Sequence, residues 1–155
     1  MNSEEKLHKE IDLIQDCIKR MANNSFLLKG WTISLVSIIL TFSPKNISQV
    51  FLGSIMLVIV IAFWSLDAYF LRLERMYRKM YNWVLNERKN GNTTYEYDLD
   101  PSRFKSQVEK ITCVMLSKTL FLFYGVILVP VIIFIFSNLY DYLISKNNIV
   151  VLLIN

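Results

Sequence analysis

The stretch from Val50 to Leu71 reads VFLGSIMLVIVIAFWSLDAYFL. Its 22 residues carry one charge, Asp67, near the end. Crossing a hydrocarbon layer of ~30 Å takes ~20 apolar residues as a helix. Lipid offers the backbone no hydrogen-bond partner, so a lone run of this kind must satisfy its own N–H and C=O groups as a helix. Two further runs flank it. Phe26 to Ser43, FLLKGWTISLVSIILTFS, has the single charge Lys29. Thr119 to Ser137, TLFLFYGVILVPVIIFIFS, has none. Together they predict an all-α membrane protein with three transmembrane helices, 26–43, 50–71 and 119–137. Pro130 inside the third predicts a local kink.

The composition agrees. Of 155 residues, 54% are hydrophobic and 19% charged, against about 45–50% and about 25% in an ordinary soluble domain. The excess sits in the three blocks. That excludes a disordered chain and a disulfide-stapled miniprotein, and argues against a soluble enzyme. Four Gly and three Pro leave little for a loop-rich β fold. A net charge of +4 without a dense basic patch does not point to nucleic acid.

Lysine and arginine set the orientation. Residues 1–30 hold five, the 44–49 turn only Lys45, residues 72–118 ten, and the tail from 138 onward only Lys146. The positive-inside rule predicts a cytoplasmic N-terminus and central segment, with the turn and C-terminus outside. Trp31, Trp64 and Tyr69 then fall at the inner interface, and Phe42, Phe51, Tyr140 and Tyr142 at the outer one. The first 25 residues carry five acids and no apolar core, so no cleavable signal peptide is expected. The expected location is the bacterial inner membrane, multi-pass, with the lipid bilayer as the first partner. Cys17 and Cys113 lack CxxC partners, and on the cytoplasmic side they would stay reduced.

The polar segments are also helical in pattern. Leu7, Ile11, Ile14, Ile18 and Met21 are spaced 4, 3, 4, 3. Leu66, Phe70, Leu73, Tyr77, Met80 and Val84 continue the same period out of the second span. Phe104, Val108, Ile111 and Met115 are spaced 4, 3, 4. Such seams mark packed helices. We therefore expect a single domain, 1–155. It has an amphipathic helix over 3–22, broken at Asn23-Asn24-Ser25, and an extension of the second span over 72–88. A loop over 89–100 and a second amphipathic helix over 101–118 follow, and then an outer tail over 138–155. Gly91 suits a helix C-terminus, and Asp100-Pro101 suits a helix start. The seams can bury one another in a cytoplasmic bundle. The seam of residues 7–21 can also join protomers or a partner, and a core this small favours a homo-oligomer.

No catalytic signature is present: no GxGxxG, GxxxxGK[ST] or GxSxG motif, and one histidine, His8. No spacing suits a metal, and no cofactor is implied. An enzyme is not expected. Asp98 and Asp100 read as an acidic loop with a helix cap. Asp67 is the informative charge, because an ionised carboxylate near the apolar layer needs a partner. Lys29, Arg72 and Lys118 fall at the same inner depth, as partners in an ion pair or as parts of a gate. Gly30, Ser34, Ser37 and Thr41 form a small, hydroxyl-bearing stripe, suited to close helix packing or to lining a pore.

Three blocks also carry a resemblance: NNSFxxKGW over 23–31, FWxLDAY over 63–69 and SKTLxxFYG over 117–125. As a set, from about residue 20 to about residue 126, they resemble a family of small uncharacterised bacterial membrane proteins. The last ~25 residues lie outside the resemblance. Such proteins are often encoded beside TIR-domain genes in anti-phage loci. The resemblance implies a membrane effector that answers to a TIR-domain or nucleotide-signalling partner, and it transfers no site residues. The rival expectation is a non-conducting anchor or scaffold that recruits a soluble partner through residues 72–118.

Overall fold

The computed structural model describes residues 3–42 and 47–154, with side chains from Glu4 to Ile144 among them. Residues 44–46 of the turn, Lys45 among them, fall outside the described residues, and so does the side chain of Lys146. The described residues form no strand. Three long helices dominate: α1, Ser3–Thr41, α2, Gln49–Lys89, and α4, Lys118–Ile154. Between α2 and α4 lie a 3-10 helix, Pro101–Gln107, and the short α3, Ile111–Met115. All three long helices contain a stretch long and apolar enough to cross a membrane.

The chain divides into two units. One takes Met1–Lys29 and Ser65–Ser117, the other Gly30–Trp64 and Lys118–Asn155. The first is the polar unit and the second the apolar one. The division falls inside the predicted spans, so Lys29 and Asp67 belong to the polar unit.

In the polar unit the seams share one core. Ile14, Cys17 and Met21 from α1 meet Met76, Tyr77, Met80 and Val84 from α2 and Phe104 from the 3-10 helix. Leu7, Ile18, Phe70, Leu73 and Val108 pack around them. The buried line on α1 runs through Glu10, Ile14, Cys17 and Met21. Ile11 and Ile18 are only half-buried. The seam of residues 7–21 thus lies largely inside the unit's own core.

Three expected boundaries move. First, α1 does not break at Asn23-Asn24-Ser25. Asparagine costs a helix interior under about 1 kcal/mol, and here Met21 and Ser25 on either side are buried. Second, residues 101–118 are not one helix. Asp100 caps the start as expected, accepting from Ser102 N. Val108 then turns extended, at φ −124° and ψ 147°. The Arg72 guanidinium, on α2, donates to the carbonyls of Glu109 (2.9 Å) and Lys105 (3.4 Å). It takes the place of helical N–H donors there, and the break lets Val114 rather than Met115 become buried. Third, the tail is helical, because α4 runs on to Ile154. No Gly or Pro follows Pro130. Ser137 and Asn138 return their polar groups to the Phe134 carbonyl, at 3.1 and 2.8 Å. The helix also continues through Pro130.

The end of α2 falls where expected. Gly91 has φ +76°, a conformation that a Cβ would strain. Gly91 N donates to Arg88 O (3.1 Å) and Asn92 N to Glu87 O (3.0 Å), the paired bonds of a Schellman cap.

The apolar unit turns most of its hydrophobic residues outward. Phe42, Phe51, Val58, Leu122, Val126 and Phe136 are all exposed. Apolar surface this extensive is unfavourable in water and suited to lipid. A smaller set packs inward: Thr32, Val36, Met56, Val60, Leu120, Tyr124 and Val131. Gly53 lets α2 approach α4, since a Cβ there would collide with the Ile135 side chain. Trp64 stacks on Tyr124 with ring centroids 5.7 Å apart. The Tyr124 hydroxyl donates to Phe63 O at 3.3 Å.

Candidate functional site

Asp67 is fully buried. Burial of an unpaired carboxylate would be prohibitive, so the surrounding residues must neutralise it. They do so from one turn of α1. The Lys29 Nζ donates to Asp67 Oδ2 at 2.6 Å. The Ser25 hydroxyl donates to Oδ1 at 2.5 Å. Lys29 Nζ also donates to the Ser25 hydroxyl at 2.8 Å and to the Ser25 carbonyl at 3.4 Å. Ammonium, hydroxyl and carboxylate therefore close a three-membered ring. Ser25 and Lys29 stand four residues apart, on one face of α1. Next to Asp67, Ala68 is also fully buried; its small side chain suits close helix approach.

Of the four charges expected at this depth, the structure brings two together. Arg72 is instead engaged with the 105–109 segment. Lys118 is exposed at the start of α4, in the apolar unit. The sequence reading places Ser25 at a helix break and misses it as a ligand. Its i, i+4 relation to Lys29 was the available signal.

The small stripe faces outward. Gly30, Ser34, Ser37 and Thr41 are all exposed, and nothing lies within 4 Å of a Cβ built on Gly30. Thr41 returns its hydroxyl to Ser37 O at 2.8 Å. Inside the apolar unit, α1 packs through Thr32 and Val36 instead. Ser37 borders an apolar cavity of about 230 Å³ with Val36, Leu40, Ile127 and Pro130.

A second buried pair was not anticipated. Arg88 Nε donates to Glu10 Oε2 at 2.9 Å, and NH2 donates to Oε1 at 2.8 Å. The two side chains are only 8% and 2% exposed. Arg88 NH1 donates to the carbonyls of Asn92 (2.6 Å) and Thr94 (3.3 Å). Tyr97 N donates to Glu10 Oε1 at 3.1 Å. The Glu10 carboxylate holds the Arg88 pKa above its ordinary value. This clamp fixes the loop, where Tyr95 and Tyr97 adopt φ 60° and 59°. Left-handed backbone costs such residues about 1–3 kcal/mol each. Tyr95 is held edge-on to Trp83 with Arg103 4.0 Å above its ring. Tyr97 donates its hydroxyl to Lys6 O.

Arg75 pairs with Glu109, and Arg78 with Glu74 at 2.7 Å. His8 is exposed. Among the described residues no three His, Cys, Asp or Glu side chains are grouped to hold a metal. In comparisons with known proteins, no family model, curated protein or solved structure matches the chain.

Proposed function

We propose that the protein is a membrane-embedded effector of a bacterial, anti-phage type of defence. It lies in the inner membrane with its N-terminus inside and its C-terminus outside, and the polar unit is a cytoplasmic bundle. It oligomerises, and it perturbs the membrane when a TIR-domain or nucleotide-signalling partner triggers it. The observation that carries this reading is the ring of Ser25, Lys29 and Asp67. These residues lie within four positions of two chain crossings between the units, 29/30 and 64/65. A charge pair buried at that point is costly to open and costly to leave unpaired. It is suited to hold two states apart, and a trigger that rearranges α1 against α2 acts on it directly. The outward stripe of Gly30, Ser34, Ser37 and Thr41 supplies a face for a second copy.

The test is membrane potential. Cells that express the chain alone should keep their potential, and cells that also express its activated genomic neighbour should lose it. Asp67→Asn should alter that response while leaving assembly intact. Unchanged potential under activation overturns the proposal.

An open groove of about 500 Å³ lined by Arg75, Arg78, Lys79, Asn82, Gln107 and Glu109 favours a second reading, a non-conducting scaffold that recruits a soluble partner through residues 72–118. Under that reading affinity capture recovers the partner, and Asp67→Asn and Ser37→Val leave function unchanged.

A further inference from the structure

Arg72 and Arg75 do more than hold the 105–109 segment. They place it as a wall facing α2, and an open groove of about 500 Å³ lies along it. Arg75, Arg78 and Lys79 line the groove from α2, with Asn82 beyond them, and Gln107 and Glu109 line it from the wall. The charges there are three cations against one carboxylate, and Glu109 is already engaged by Arg75. A second groove of about 410 Å³ shares Arg78 and Asn82 and adds Gln15 of α1.

The donors in these grooves are largely unused. Arg78 gives Nε and NH2 to Glu74, which leaves NH1 free. The side chains of Lys79, Asn82, Gln107 and Gln15 make no hydrogen bond or ion pair among the described residues. Surface lysines are commonly solvated. Here, however, ammonium, guanidinium and amide groups share one concave surface whose far wall is fixed. Such a surface matches an anion with several oxygens, because charge-assisted N–H···O bonds to one group reinforce one another.

We infer that this groove binds a phosphate-bearing anion, with Lys79 and Arg78 as the cationic contacts and Asn82 and Gln107 as amide donors. The inference does not rest on the effector reading. Two sources of phosphate are within reach. Lys79 lies eight residues beyond Leu71, about 12 Å along the helix. The headgroup layer extends about 5–8 Å past the hydrocarbon, and a lysine side chain spans much of the remaining gap.

The test uses the full chain in phosphatidylcholine nanodiscs, titrated with inorganic pyrophosphate by calorimetry. Saturable binding is expected, and Lys79→Ala with Asn82→Ala should weaken it about tenfold or more. Both positions are exposed, so circular dichroism should be unchanged. Lys9→Ala, an exposed cation on α1, should leave binding unaltered. Repeating the titration in nanodiscs that contain phosphatidylglycerol separates the sources. A lipid-filled groove raises the melting temperature and masks pyrophosphate, and both effects vanish in the double variant. A free-phosphate site binds equally in both discs. The proposal is overturned if neither probe produces a response. It is also overturned if the double variant responds like the parent, or if Lys9→Ala weakens binding as much.

Discussion

Glu10 and Arg88 meet as a fork, two parallel bonds of 2.8 and 2.9 Å, with both groups under one-tenth exposed. Lys29 and Asp67 meet through a 2.6 Å bond, and Lys29 remains 22% exposed. Both pairs tie α1 to α2 inside the polar unit. The guanidinium of the first is also bonded to two loop carbonyls, so any rearrangement breaks several bonds together. The ammonium of the second rotates on a flexible stem and shares its protons with a hydroxyl that can turn. The fork is a clamp for a strained loop. The ring rests on a flexible ammonium and a rotatable hydroxyl rather than on a rigid fork.

The largest effect should follow from Arg88→Met. It leaves Glu10 buried and unpaired and frees the Asn92 and Thr94 carbonyls. Breaking a buried pair from one side costs about 3–5 kcal/mol. Denaturant unfolding of the detergent-solubilised chain should show it, with new proteolytic cleavage over 89–100. If Lys29→Met cost more than Arg88→Met, the contrast between clamp and ring would be wrong.

Much of this architecture was legible in the sequence, and the failures have physical causes. Three apolar runs suffice for the three long helices, because lipid-compatible length and composition leave few alternatives. The end of α2 was legible because Gly91 is where positive φ is needed. The seam on α1 was read as Leu7, Ile11, Ile14, Ile18, Met21, whereas the buried line passes through Glu10 and Cys17. Both lines have a 3.5-residue period and share Ile14 and Met21. Apolar character alone favoured Ile11 over Glu10. Only the partner, 78 residues away at Arg88, makes burial of that carboxylate possible. The break after Gln107 was likewise hidden, since its carbonyls are satisfied by an arginine from another helix. The pairing of Lys29 with Asp67 could be anticipated because two lone charges in adjacent apolar runs have few other partners.

The next effect tests the ring. Lys29→Met should destabilise by about 3 kcal/mol, because Asp67 stays buried without the ammonium that balances its charge. Adding Asp67→Leu should restore most of that loss, since an apolar pair of similar size avoids the desolvation cost. A double variant no more stable than the single one would show that the ring is not an isolated unit. Ser25→Ala should cost less, about 1–2 kcal/mol, the usual range for one hydrogen bond lost from a buried group.

The smallest effect concerns a carboxylate that is not buried, and it separates hydrogen bonding from charge pairing. Asp100 accepts from Ser102 N at 2.9 Å and from the Ser102 hydroxyl at 2.6 Å. These bonds hold its pKa below the ordinary carboxylate value, with help from Arg103. A depressed folded-state pKa means that the cap contributes stability above the unfolded pKa. The contribution is lost as pH falls through the folded value. Asp100→Asn keeps an oxygen to accept from Ser102 N and removes the titration. Unfolding midpoints of parent and variant should therefore separate slightly above about pH 4, where the unfolded carboxylate ionises, draw together as pH falls below it, and meet only below the lower folded value. Added salt should leave that separation largely intact, because short hydrogen bonds rather than distant charges produce it. Separation that collapsed in salt would assign the cap to Arg103 instead.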